Sequence, residues 1–283
     1  MRVLKQFGQL VVVAAVAAAG GQAVTAVRGN ALLTVVVGAA TVVLSLLAYV
    51  GIVRLTERRP VTEAARPGAA GAVGRGLLIG LVWCGFVIAA IALLGHYRVD
   101  GFGSASGVVL VLGFMAAAAV TEELMFRGVL LRVLEERLGS WIALTLTSLV
   151  FGLSHLLNPQ ATLWGAFAIA IEAGGTLGAA YLATRKLWLP IGLHFGWNFA
   201  LAGIFGAVVS GTNKSQGLLN GVLSGPTLLS GGEFGPEASG FTVAGGVVMT
   251  VVFVWLAHRR GNLVAPRWRR RAAQTTQAAT LSR

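Results

Sequence analysis

The stretch AAAAVTEELMFRGVLL, residues 116–131, decides how this chain is read. Its first half is a slab of small apolar residues. Two adjacent carboxylates, Glu122 and Glu123, then arrive with Arg127 four positions after the second. An ionisable group in hydrocarbon costs about 2.5–3.5 kcal/mol on insertion scales, so acids placed there carry a function by default. What they are for depends on whether the flanking chain lies in a membrane.

The flanks place it there. Of 283 residues, 56% are hydrophobic and 11% charged, and the mean hydropathy is +0.79, outside the range of soluble globular domains. Apolar runs of about 20 residues, enough to cross a bilayer, occur at roughly 9–27, 31–53, 73–95, 105–121, 141–157, 161–184, 188–209 and 241–257. The expected fold class is all-α, a polytopic membrane helix bundle of about eight transmembrane helices. The abundant glycines fit close helix packing in lipid, where small residues let backbones approach.

Cations test the span count. With eight spans and both termini in the cytoplasm, only Arg28, Arg98 and Lys214 of the 22 Lys and Arg residues fall outside, as the positive-inside rule requires. The expected location is therefore a cell membrane, multi-pass, with both termini cytoplasmic; the composition reads as prokaryotic. The basic tail RWRRRAAQ serves as a topology anchor that contacts anionic lipid, and no nucleic-acid partner is expected. Residues 1–26 have the pattern of a signal peptide or of a retained first helix, and the retained helix is preferred. Cys84 is the only cysteine, which excludes intrachain disulfides and Cys-based metal cages.

Three regions follow: N-terminal helices with a charged, Pro-bearing linker (1–71), a core (72–257) and the basic tail (258–283). Spans one to three hold no acid and no histidine. RGVLLRVLEERLG after span four reads as an amphipathic helix along the inner interface, stopped by Gly139. The outer loop 210–240, rich in Gly and Ser, reads as a lid or a solvated connection.

The polar residues inside the membrane are Glu122, Glu123, His155, Glu172, His194 and Asn198. Helical spacing separates the two opening acids. Glu123 and Arg127 share a face in the favourable order, the pattern of a structural ion pair. Glu122 points about 100° away and has Met125 and Phe126, not cations, at i+3 and i+4. FGLSH puts Phe151 and His155 on one helix face, and HFGWN does so for His194 and Asn198. A carboxylate and an imidazole converging on one water can deprotonate it, while an imidazole N–H and a carboxamide can donate to an oxyanion. Those are the parts of a peptide-bond hydrolase, and the other intramembrane proteolytic chemistries lack theirs: there is no H-E-x-x-H, Asp100 is the sole aspartate, and Ser154 lacks the small, glycine-flanked setting of a nucleophile.

In order, Glu122-Glu123-x-x-x-Arg127, Phe151-x-x-x-His155 and His194-x-x-x-Asn198 resemble the three signatures of the CPBP intramembrane proteases. That family includes CAAX prenyl endopeptidases of the Rce1 type and bacteriocin-processing or immunity relatives. The likeness spans roughly residues 105–210. It implies that Glu122 and His155 activate water, that His194 and Asn198 form the oxyanion hole, and that Glu123, Arg127 and Phe151 support them. The implied function is an intramembrane endopeptidase, glutamic or metallo in type, acting on a membrane-associated peptide or protein. No cofactor is expected; a zinc-dependent form would use Glu122, His155 and His194. The same polar residues also suit a proton relay in a transporter, or a catalytically inactive immunity or scaffold protein. Glu172 matches none of the motifs and is expected to be structural.

Overall fold

In hydrocarbon a backbone has to satisfy its own polar groups, and a helix does so within one segment. The computed structural model describes residues 2–213 and 217–269, with the backbone alone at residues 2 and 3. Lys214 and the part of the basic tail from Arg270 to Arg283 lie outside the described residues. The apolar runs become α1 (Arg2–Ala26), α2 (Ala31–Glu57), α3 (Ala69–Leu93), α4 (Ala105–Glu123), α5 (Arg132–Ser154), α6 (Leu163–Ile169), α7 (Thr176–Thr184), α8 (Trp188–Phe199), the short α9 (Thr227–Ser230) and α10 (Gly240–Arg259). Asn30, Ser104, Thr162 and Ser239 cap α2, α4, α6 and α10 by accepting from the backbone N–H three residues on.

Six helical stretches among the described residues are long and apolar enough to cross a membrane, the longest being Ala105–Leu157. That stretch is two limbs. A π-helical segment, Leu124–Leu131, joins α4 to α5 without a break, and the chain leaves helical geometry at Gly139, with φ 79° and ψ 167°. Positive φ suits glycine, and a Cβ there would also come 2.8 Å from Val264 O and Pro266 N. The limbs run antiparallel: Phe126 meets Phe151 at 4.9 Å, and Leu131 and Leu144 both reach Gly178. With these limbs counted separately and the shorter Trp188–Ile204 added, the described helices make the eight expected spans.

The inner-interface helix expected after span four is not formed. Span four runs straight on, and the charges at its end face protein. Arg132 is buried, donating to Gly128 O (2.8 Å), Gln9 Oε1 (2.8 Å) and Glu57 (2.7 Å). Glu135 pairs with Arg185 at 2.5 Å and accepts from Ser140 Oγ at 2.5 Å. The amphipathic pattern was real, but its polar face meets the linker and other helix ends instead of headgroups.

α8 is held by α3 through facing GxxxG pairs. Gly76 and Gly80 lie against Leu189 O and Leu193 O, while Gly192 and Gly196 lie against Val73 O and Leu77 O, and a Cβ at any of the four would come within 2.2–2.5 Å of the carbonyl it faces. Without side chains between them the two backbones touch, which fixes the rotation and depth of α8.

The loops sort to two ends. At one end the linker, the Gly139 turn, Arg185–Leu187 and Asn262–Pro266 interlock, for example through Lys186 Nζ to Thr62 O (2.6 Å) and Ser140 N to Val264 O (2.9 Å). At the other, β1 (Tyr97–Phe102) pairs antiparallel with β2 (Leu219–Leu223). The segment 227–238 does not behave as a solvated connection: Ser230, Phe234, Glu237 and Ala238 are buried, and Trp164 Nε1 donates to Ala238 O at 2.8 Å.

Candidate active site

The α4–α5 hairpin brings the first two motifs level. Glu122 precedes Gly139 by 17 residues and His155 follows it by 16, so each stands about 25 Å from the turn at 1.5 Å per residue. Both side chains wall one cavity of about 310 Å³, together with His194 and Asn198 from α8. A span four that ended at residue 121 would leave Glu122 at the inner border and His155 far from it; because the helix runs on to Gly139, the two stand at one depth.

Glu123 and Arg127 form the pair that helical spacing predicts, Nη1 to Oε1 at 2.7 Å, with both side chains buried. The second guanidinium nitrogen donates to Ala173 O at 3.1 Å and Gly174 O at 3.4 Å. Those carbonyls lie in a second π-helical segment, Ala170–Gly175, where shifted backbone pairing leaves acceptors to be claimed. Arg127 also stacks over the Phe151 ring, 4.5 Å from its centroid. Phe151 is thus a hub, edge-on to Phe126 and to His155 at 4.9 Å each, and to His194 at 6.2 Å.

Both imidazoles are oriented through Nδ1. His155 Nδ1 lies 2.8 Å from Phe151 O, and since a carbonyl only accepts, Nδ1 carries the hydrogen and Nε2 is left as the lone-pair atom of the neutral ring. His194 Nδ1 lies 2.9 Å from Glu123 Oε1 and donates by the same reasoning. Its Nε2 faces Glu122 Oε2 at 3.9 Å. Glu123 therefore accepts from both Arg127 and His194 and ties the first motif to the third. Glu122 is the freer acid: its side chain is 31% exposed, toward the cavity, and Oε2 has no hydrogen-bond partner.

Behind these groups lies a second, inner void of about 20 Å³, room for about one water. His155, His194 and Asn198 separate it from the outer cavity, and Glu172, Glu237 and Trp83 line its far side. Glu237 accepts from Trp197 Nε1 (3.2 Å), Ser210 Oγ (3.1 Å) and the Ser210 backbone N–H. Glu172 Oε1 and Trp83 Nε1 are buried without partners. Sequence reasoning singled out Glu172 but left Glu237 inside an outer loop read as a lid or a solvated connection. Its only visible signal was an acid inside GGEFGPEASG, whose glycines take the positive φ values that fold the loop back.

Third in the series of π-helical segments, Ala200–Ile204 follows Asn198 directly. Glu122 and Asn198 thus stand two residues before such a distortion and Glu172 lies inside one, a placement frequent at functional sites. Among the described residues no three His, Cys, Asp or Glu side chains stand close enough together to hold a metal ion, so the set Glu122, His155 and His194 does not fit a zinc site as arranged.

Residues 104–200 match the family model described as Rce1-like, type II CAAX prenyl endopeptidase. The matched segment begins at the cap of α4 and ends just past Asn198, so it holds all three motifs. No curated protein and no solved structure matches the chain.

Proposed function

From the Rce1-like segment that surrounds this cavity, we propose that the chain is an intramembrane endopeptidase that hydrolyses a peptide bond of a membrane-associated peptide or protein. The observation that carries the reading is that Glu122 and His155 wall one cavity with His194 and Asn198. Glu122 and His155 Nε2 hold one water. Glu122 takes its proton as the oxygen attacks the scissile carbonyl, and later returns that proton to the leaving amine. Asn198 Nδ2 and His194 Nε2 donate to the oxyanion. Because His194 Nδ1 already donates to Glu123, donation from Nε2 requires the imidazolium, which Glu123 and Glu122 flank on two sides. Glu123, Arg127 and Phe151 are positioning residues: they set the rotamers of His194 and His155 and touch no reacting atom.

The test is cleavage of a membrane reporter peptide in proteoliposomes. Glu122→Gln keeps size and polarity but removes the base, so cleavage falls about 10²–10⁴-fold, the usual contribution of a general base, while the thermal transition stays put. Unaltered cleavage by this variant would falsify the assignment. Proton flux coupled to solute uptake in the same vesicles would instead support a transporter.

A further inference from the structure

The cavity that holds Glu122 does not end there. It shares Phe114, Met115 and Thr212 as walls with a larger cavity of about 560 Å³, which reaches Thr25, Arg28, Ser104 and Asn213 at the β1–β2 end of the molecule. The two lie end to end as a furrow along a single face of α4. Ser104, Gly107, Val111, Phe114, Ala118 and Glu122 line it in turn, at spacings of three and four. Eighteen residues separate Ser104 from Glu122, which is five full helical turns and about 27 Å. An extended peptide covers that length with about eight residues. The furrow opens away from the Gly139 turn and the linker, at the end where Arg28 and Arg98 are the only Lys or Arg among the described residues, and Arg98 is paired with Asp100. Arg28 is exposed and lies at the mouth.

We propose that this furrow is the substrate channel, and that it admits an extended, apolar peptide segment from the extracytoplasmic face. The scissile bond lies at Glu122 and a carboxylate on the peptide, about eight residues away, pairs with Arg28. The inference rests on the endopeptidase reading. It adds the side of access, the conformation and length of the bound segment, and its charge. The cation-poor end is the outer face under the positive-inside rule. The apolar α4 stripe suits a hydrophobic chain whose backbone is extended for hydrolysis, and Arg28 at its far end is the charge such a chain would meet on arrival.

Leu110→Cys tests the channel, because Leu110 lines the furrow and the native Cys84 is fully buried. A membrane-impermeant maleimide added to intact cells should label Leu110→Cys, whereas His258→Cys at the opposite end should label only in inverted vesicles. Synthetic apolar peptides carrying an aspartate eight residues from the centre should protect Leu110→Cys from labelling. In Arg28→Glu, the same protection should weaken about fivefold, the effect of one exposed ion pair, and peptides lacking the aspartate should show no such change. Labelling of Leu110→Cys from the cytoplasmic face only, or absence of peptide protection, overturns the proposal. These readouts report binding and access, so they stand apart from the cleavage test of Glu122→Gln, whose failure would sink the protease reading and leave the labelling pattern to be judged alone.

Discussion

Glu122 and Glu123 are neighbours in sequence with opposite surroundings, and the difference is geometric. Glu123 is buried between Arg127 at 2.7 Å and His194 at 2.9 Å, so its charge is committed to structure. Removing one partner of a buried pair leaves the other uncompensated, at about 3–5 kcal/mol. Arg127→Met is therefore expected to lower the thermal transition or to prevent purification of folded protein, in contrast to Glu122→Gln, and differential scanning fluorimetry in detergent separates the two. In the proposed mechanism Asn198→Ala removes an oxyanion donor, so it should lower kcat about 10²–10³-fold with KM nearly unchanged; a change confined to KM would count against that role. The Glu123–Arg127 pair and the freedom of Glu122 were legible from helical spacing alone. Glu237 was not, because its burial depends on Ser210 and Trp197 coming to it from elements distant in sequence.

Two elements set the depth of the site. The first is the α4–α5 hairpin, anchored below its turn by the linker. Arg132 binds Glu57, and Glu63 accepts from Tyr49 (2.7 Å) and Arg59 (2.7 Å). Burial pulls the Glu63 carboxyl up, but the hydrogen bonds from Arg59 and Tyr49 outweigh it and hold the group below its ordinary 4.5. A depressed carboxylate stabilises the fold fully above its unfolded value and loses that contribution as pH falls through the folded one. Stability should therefore drop below about pH 4.5, and Glu63→Gln should flatten this acid limb; an unchanged limb in a pH series of melting curves would reject the anchor. The second element is the α3–α8 crossing. Gly196→Val drives a side chain into Leu77 O, an overpacking that costs about 1–3 kcal/mol. It should impair cleavage by displacing His194, and a variant with native melting and native rates would contradict the crossing's role. The apolar runs revealed these helices, but the sequence reading ended the apolar run of span four at residue 121 and laid the amphipathic segment after it along the inner interface. The π-helical segment and the partners of Arg132 let the helix carry its charges onward inside protein, which no local pattern announces.

At the scale of the molecule, the bundle converts three short motifs into one chamber that is reached along α4 and closed behind by buried acids. Its all-α class, its span count and its motif-bearing helices could be read from hydropathy, cation distribution and spacing. The folded-back segment 227–238 and the inner void could not, since both depend on contacts between the loop and helices far away in the chain. The central claim is that Glu122 and His155, 33 positions apart, act on one water. A double-mutant cycle on reporter cleavage tests it most directly, with kcat measured for Glu122→Gln, His155→Ala and the double variant. Groups that act as a unit lose their function together, so the double variant should be no slower than the slower single one. Losses that multiply, or a single variant that cleaves at the native rate, would contradict the account.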